Sequence, residues 1–328
     1  MESASFKRLR RTRMNAFSRD LTREISLCAH DFIYPIFVQE TAGISPIATL
    51  PGIARYGGKD VVNHVKEAYA RGIRAIALFP EVPQNLKTLG CEEAFNPDNL
   101  MCRTIATLKE AVPEMGLVCD VALDPYNPSG QDGFLADDGR GIVENDRTVA
   151  ALVKQALVLA RAGADVIAPS DMMDGRILAI RSALEAEGFD RTLILSYAAK
   201  YASCLYGPFR EAVGSSGVLV GDKKSYQMDP ANRAEALREI ETDLEEGADW
   251  VMVKPAHTYM DIIADCKATF GVPTFGYHVS GEYAMWAFAA QAGAIDRVTS
   301  IKEILLSLKR AGCDGILTYA AFEAAEYL

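Results

Sequence analysis

A chain of 328 residues, 49% apolar and 24% charged, has material for a large core and a solvated surface, which excludes a disordered polymer. No segment offers the roughly 18 consecutive apolar residues of a membrane span, and a net charge of −10 with a pI near 5.1 has the wrong sign for a nucleic-acid partner. Seven cysteines (28, 91, 102, 119, 204, 266 and 313) lie scattered without a CxxC pair, and four histidines lack ligand spacing, so the sequence reads as a soluble cytoplasmic protein with reduced thiols.

The chain begins with a basic segment. Lys7, Arg8, Arg10, Arg11, Arg13, Arg19 and Arg23 crowd the first two dozen residues, where Glu2, Asp20 and Glu24 are the only acids. An organelle transit peptide is one reading, but there is no clear apolar face and no secretory core. The other, which we adopt for residues 1–30, is an arm whose arginines pair with carboxylates elsewhere in an assembly.

From about residue 30 one unit recurs. Apolar runs of strand length appear at Ile33–Val38, Ala75–Phe79, Leu117–Leu123, Val166–Ala168, Leu193–Tyr197, Trp250–Val253, Thr274–Val279 and Ile316–Tyr319. Between most of them the period is helical, as in Val149, Leu152, Val153, Ala156, Leu157 and Ala160. Asp229-Pro230 reads as an N-cap followed by a helix-opening proline. Gly72, Gly163, Gly247 and Gly312 fall where a C-terminal glycine belongs, and Ala162-Gly-Ala-Asp165, Glu246-Gly-Ala-Asp249 and Ala311-Gly-Cys-Asp314 each lead from helix to strand. Eight alternations over residues 31–328 predict a (β/α)8 TIM barrel. A doubly wound sheet is the alternative, but it wants a glycine-rich phosphate loop after its first strand, and Ile36-Phe-Val-Gln-Glu40 supplies none.

A barrel puts its chemistry at the C-terminal ends of its strands. Those ends carry Asp120 and Asp124 (third run), Ser170, Asp171 and Asp174 (fourth), Lys200 (fifth), Lys254 (sixth), Ser280 and Glu282 (seventh) and Tyr319 (eighth). Asp174 and Glu282 are expected only to cap the helices that follow. The two lysines are the informative members. Trp250-Val-Met-Val-Lys254 and Thr192-Leu-Ile-Leu-Ser-Tyr-Ala-Ala-Lys200 each deliver an ammonium at the end of a buried run. There desolvation lowers a lysine pKa and yields an amine able to attack a carbonyl.

Six motifs now stand in order: Ser196-Tyr-Ala-Ala-Lys-Tyr-Ala-Ser203, Tyr206-Gly-Pro-Phe-Arg210, Lys224-Ser-Tyr-Gln-Met-Asp-Pro230, Val251-Met-Val-Lys-Pro-Ala256, Val279-Ser-Gly-Glu-Tyr-Ala-Met285 and Gly315-Ile-Leu-Thr-Tyr319. Together they resemble the porphobilinogen synthase (5-aminolevulinate dehydratase) family, from the arginine arm to the C-terminus. The resemblance implies the barrel fold and the condensation of two 5-aminolevulinate molecules to porphobilinogen with loss of two waters. It also implies Schiff bases on Lys254, for the substrate that becomes the propionate side, and on Lys200, for the second. By position Ser280 and Tyr319 would take the propionate-side carboxylate, and Arg210, Lys223 and Gln227 the acetate-side one. Residues 201–224, rich in glycine and including Gly214, Ser215, Ser216, Gly217 and Gly221, read as a lid over the substrates or an ordinary long loop.

The loop after the third run departs from zinc-dependent members. Where those carry three cysteines, this chain has Ala122, Asp124 and Asp132. No catalytic zinc is therefore expected; the two aspartates suit Mg²⁺ or a monovalent cation, act as bases, or belong to a solvated loop. Asp120 and Ser170 complete the catalytic candidates. By resemblance Glu239, on the helix read as opening at Asp229-Pro230 and buried through Leu237, Ile240 and Leu244, matches a glutamate that binds an activating Mg²⁺ outside the active site. The family also implies a homo-octamer whose N-terminal arms embrace neighbours.

Overall fold

The computed structural model describes residues 7–136, 139–215 and 219–328. Its strands are β1 (Phe32–Val38), β2 (Gly43–Pro46), β3 (Ala54–Gly57), β4 (Ala75–Pro80), β5 (Gly116–Val121), β6 (Val166–Pro169), β7 (Leu193–Lys200), β8 (Trp250–Lys254), β9 (Thr274–His278) and β10 (Gly315–Thr318). Eight of them, β1 and β4 to β10, pair in parallel in chain order, and Phe32↔Ile316 with Ile33↔Leu317 joins β1 to β10 and closes the ring. The protein is a (β/α)8 barrel, as the alternation predicts. The continuous apolar runs follow from burial on both faces: all seven residues of β1 and all five of β9 are buried, between barrel interior and helix ring.

The repeated helix–Gly–x–Asp–strand phrase has a physical reason. Gly163 and Gly312 end their helices at φ 109° and 120°, a conformation that favours glycine. Each following aspartate then accepts a hydrogen bond from the first residues of the preceding barrel strand: Asp165 from the Leu117 amide (2.8 Å), Asp249 from Ile194 (2.7 Å) and Asp314 from Thr274 (2.7 Å). Each also pairs with a cation, Lys109, Arg181 and Lys267 respectively. These clips lie on the N-terminal face, where conservation of shape matters and chemistry does not.

Two local expectations are corrected. Asp229-Pro230 does not open a helix: the Asp229 side chain accepts the Ala231 amide (2.9 Å) and its carbonyl accepts the Asn232 amide (2.9 Å), closing a turn, and the helix runs Ala234–Glu245. Its buried residues are Ala236, Ile240 and Asp243, whereas Leu237 and Leu244 are only half-buried. The other correction is an addition, the β2–β3 hairpin, whose β3 pairs with the end of β1 through Phe37↔Arg55 and Val38↔Tyr56. Outside the barrel, residues 7–31 contribute no buried side chain, and Leu9, Met14, Phe17 and Leu21 are 62–82% exposed.

Candidate active site

Lys200 and Lys254 end adjacent strands as Cα partners, after a register irregularity between Ser196 and Ala199 that brings them level. The Lys254 ammonium is ringed by aromatic faces, 4.6 Å from the centroid of Tyr277, 5.0 Å from Tyr197, 5.2 Å from Tyr206 and 5.3 Å from Phe209. Burial, then the neighbouring Lys200 charge, pulls its pKa down to about 7 against the attraction of Asp120, Asp124 and Asp132. Lys200 donates to the Ser170 carbonyl and lies 3.6 Å from Asp132.

Asp132 is the centre of the charge network. Lys223 meets it at 2.9 Å and Asp124 at 3.5 Å, and the Gln227 amide donates to it at 3.4 Å. Burial works to raise the Asp132 pKa, but Lys200 and Lys223 together hold it below the ordinary carboxylate range. Asp120 behaves oppositely: burial outweighs Lys254 and pushes it up to about 7, and its Oδ1 has no hydrogen-bond partner among the described residues. Asp124 is also raised, by burial first.

Described parts of the segment expected to form a lid lie over this cluster. A short helix, Gly207–Ala212, sets Phe209 over Lys254 and Arg210 over the cavity, and the Phe209 amide donates to Ser280 Oγ (3.1 Å). Tyr206 Oη donates to the carbonyls of Tyr201 (2.7 Å) and Lys254 (3.2 Å). From its far side, Gln131 holds the carbonyls of Val220 (2.7 Å) and Asp222 (2.9 Å). The cavity that these side chains line has a volume of ≈ 30 Å³. Paired buried amines at level positions, one of them near neutrality, with carboxylates and a guanidinium at hand, are equipped to form two imines side by side.

Comparison with known proteins decides the family. The profile for delta-aminolevulinic acid dehydratase matches residues 6–327. The chain belongs to the delta-aminolevulinic acid dehydratase family. Relatives of that name from Bradyrhizobium diazoefficiens and Rhodobacter capsulatus are each 49% identical over 98% of this chain, covering 90% and 96% of their own lengths. A delta-aminolevulinic acid dehydratase named chloroplastic, from Selaginella martensii, is 47% identical over 98% of this chain and 76% of its own. The solved dehydratase (porphobilinogen synthase) of Toxoplasma gondii ME49, in complex with the product porphobilinogen, superposes with a TM-score of 0.97 at 48% identity, covering 99% of this chain and 92% of that one.

Against the dehydratase expectations, Lys200, Lys254, Asp120, Asp124, Ser170, Arg210, Lys223 and Gln227 line one cavity, and Asp132 abuts it. Ser280 and Tyr319 are buried beneath the lid with their hydroxyls engaged, Ser280 with Leu205 and Phe209 and Tyr319 with Tyr277 Oη at 2.8 Å. Glu282 caps its helix as expected, accepting the Val279 amide at 2.9 Å. Asp174 does not cap: the next helix starts at Arg176 without a side-chain cap, and Asp174 instead lines a separate pocket of ≈ 390 Å³ with Glu235, Glu239 and Asp229. Asp171 faces away from the cavity toward Arg176, at 3.8 Å. Ser216 and Gly217 of the expected lid, and Glu2 of the arm, lie outside the described residues.

Sequence reasoning missed three features. The aromatic cage was hidden because Tyr197, Tyr206, Phe209 and Tyr277 come from three separate segments, although Tyr197 stands three residues before Lys200. The buried pair Arg176–Asp243, at 2.9 Å, gave no signal because charged residues on amphipathic helices usually face solvent. Arg55, on the short strand β3, and Lys87, in a loop, both bond to carbonyls of residues 211–214 and belong to no motif.

Proposed function

We propose that this chain condenses two molecules of 5-aminolevulinate to porphobilinogen with loss of two waters, through imines on Lys254 and Lys200. The supporting observation is the level pairing of the two buried lysines, with Lys254 held near neutrality inside its aromatic cage. Each amine bonds a keto carbon, and each carbonyl oxygen leaves as water. Loss of a C–H proton turns one iminium into an enamine, whose carbon attacks the other iminium carbon. One lysine then leaves by elimination and the other by displacement with substrate amine, so no further atom is lost. Asp120, with one oxygen shielded from solvent and unpartnered among the described residues and its carboxyl pushed up to about 7, is suited to take and return that proton.

Arg210 makes no ion pair with the described carboxylates and is assigned, with Lys223 and Gln227, to the acetate-side carboxylate. Ser280 and Tyr319 are assigned to the propionate-side one. Residues 201–224 act as the lid: the helix Gly207–Ala212 within them sets Phe209 over Lys254 and Arg210 over the cavity. Lys223 already pairs with both Asp124 and Asp132, and Lys200 with Asp132, which favours their acid–base and charge-balancing role over tight binding of a hard or monovalent cation. Cys119 is fully buried, with its thiol pushed well up by burial, and offers zinc nothing at the site.

For the activating Mg²⁺ we assign the pocket of Glu239. Its carboxyl is pushed up by burial and by the nearby Asp243, with Asp174 and Glu235 adding negative charge, an arrangement that a cation would relieve. Among the described residues no three His, Cys, Asp or Glu side chains are placed to hold a metal directly, so the ion would keep most of its waters, as Mg²⁺ does. It would supply activation from outside the cavity. The exposed apolar residues of the arm support a homo-octamer in which arms embrace neighbouring barrels. Free cysteines and an acidic surface support a cytoplasmic location; among the described residues no helix is long and apolar enough to cross a membrane.

The test is 5-aminolevulinate turnover by metal-stripped protein, alone and with Mg²⁺ or Zn²⁺, beside Lys200→Ala, Lys254→Ala and Glu239→Gln. Porphobilinogen formation that Mg²⁺ stimulates, that zinc leaves unchanged and that either lysine substitution abolishes is the expected result; Glu239→Gln removes the stimulation only. Absence of product, with borohydride still trapping a keto acid on Lys254 alone, assigns the chain to single-imine aldol chemistry instead.

A further inference from the structure

The lid helix Gly207–Ala212 carries Phe209 and Arg210 into the site, yet its C-terminal end is not held by the catalytic cluster. The last carbonyls of a helix lack intrahelical donors and carry partial negative charge. Here they meet a cation from a distant part of the chain. Arg55, on β3 of the hairpin beside the barrel, donates from Nη2 to the Glu211 carbonyl (2.6 Å) and from Nε to the Ala212 carbonyl (2.7 Å). Its side chain is 15% exposed and is steadied by Glu81 at 3.4 Å. Two residues further on, Lys87, 8% exposed, donates to the Gly214 carbonyl (2.9 Å), and Thr49 donates to the Glu211 carboxylate.

We infer that Arg55, seconded by Lys87, is a positioning residue for the reaction: a latch that holds the lid helix closed and so sets Arg210 over the substrate carboxylate and Phe209 over Lys254. The inference rests on the reading of Arg210 and Lys254 given above. Arg55 touches neither the cavity nor the reacting atoms, and the groups it holds are main-chain carbonyls. A lysine in its place reaches one of the two carbonyls, whereas the planar fork of arginine reaches both. Lys87 ties the latch to the charge of the site, because Asp124 and Glu81 support its ammonium against the effect of burial. When the lid opens, these donors and carbonyls return to water and the closed fraction falls. Apparent substrate affinity falls by the same fraction.

The experiment uses the full-length protein. Trypsin has a target within the lid, after Arg210, that closure protects. Arg55→Ala is expected to speed cleavage after Arg210 on the order of tenfold, and Arg55→Lys to lie between it and the wild type. Added 5-aminolevulinate restores protection in all three. The KM of Arg55→Ala rises by a similar factor while kcat at saturation changes less, since bound substrate itself draws Arg210 and the lid inward. Equal cleavage rates after Arg210 with an unchanged KM overturn the proposal. If Arg55→Ala is also cut faster after Arg161 and Arg181, its fold is damaged, and Lys87→Met decides: faster cleavage after Arg210 alone supports the latch, and the wild-type cleavage rate refutes it. Because proteolysis needs no turnover, protein that makes no porphobilinogen but shows this protection pattern would sink the proposed reaction and leave the latch standing.

Discussion

The depressed pKa of Lys254 has two sources that one substitution separates. Burial comes first and the Lys200 charge second. The two residues are level on adjacent strands, which places their ammonium groups about 6 Å apart if the side chains run side by side. At that distance and an effective dielectric of about 20, like-charge repulsion amounts to about 3 kcal/mol, or about two pKa units. The carboxylates of Asp120, Asp124 and Asp132 offset part of this, so replacing Lys200 with uncharged Met is expected to raise the Lys254 pKa by about one unit. A rise moves the amine toward its protonated form at neutral pH and slows imine formation. Trapping of levulinate on Lys254 by borohydride, read as modification of that peptide by mass spectrometry from pH 5 to 10, follows the neutral fraction. Wild-type trapping is expected to be half-maximal near pH 7, in keeping with the depressed pKa. In Lys200→Met the midpoint moves to about 8, and trapping at pH 7 falls by roughly fivefold. An unmoved midpoint would show that burial alone sets the amine, and the argument from paired lysines would be wrong.

Two further outcomes test the scaffold. Arg176 and Asp243, each 2% exposed, form a buried pair whose partners include Ser196, so Arg176→Met leaves an uncompensated carboxylate and is expected to cost about 3–5 kcal/mol in urea denaturation; adding Asp243→Leu recovers most of it. A Cβ at Gly281 would sit 2.5 Å from the Leu205 carbonyl oxygen and 2.7 Å from its Cα, so Gly281→Ala pushes the Cys204–Tyr206 turn outward. It is expected to leave the melting temperature nearly unchanged while hydrating Lys254, which moves the trapping midpoint upward; an unchanged midpoint would mean that Tyr206 is not needed for the cage.

The barrel was legible because its signal is local and repeated. Eight apolar runs, each closed at one end by a polar residue, report burial on both faces, and the Gly–x–Asp phrases report clips between neighbouring strands. Lys200 and Lys254 were legible because an ammonium at the end of such a run has few structural uses. What the sequence concealed depends on pairs far apart in the chain. Asp132 looks like a loop aspartate until Lys223, 91 residues later, is found at 2.9 Å. Arg55 looks like a surface residue of a hairpin until the lid helix is found to end upon it. The misread helix start at Asp229-Pro230 is a different failure, since an aspartate before proline caps a turn by the same side-chain chemistry with which it caps a helix.

The charge arrangement explains why the lid matters to more than access. Lys200, Lys223, Lys254 and Arg210 face Asp120, Asp124 and Asp132, and among the described residues only Lys200 and Lys223 meet one of these carboxylates at ion-pair distance. On the proposed reaction each substrate brings one carboxylate and one ammonium. A carboxylate that docks on Arg210 draws Lys223 away from Asp132, and the two aspartates it leaves behind are then free to receive the substrate ammonium. Closure therefore exchanges ion pairs within the protein for ion pairs with substrate, without stranding a buried charge. This exchange requires Lys223 and Arg210 to lie on one segment, as they do within residues 201–224.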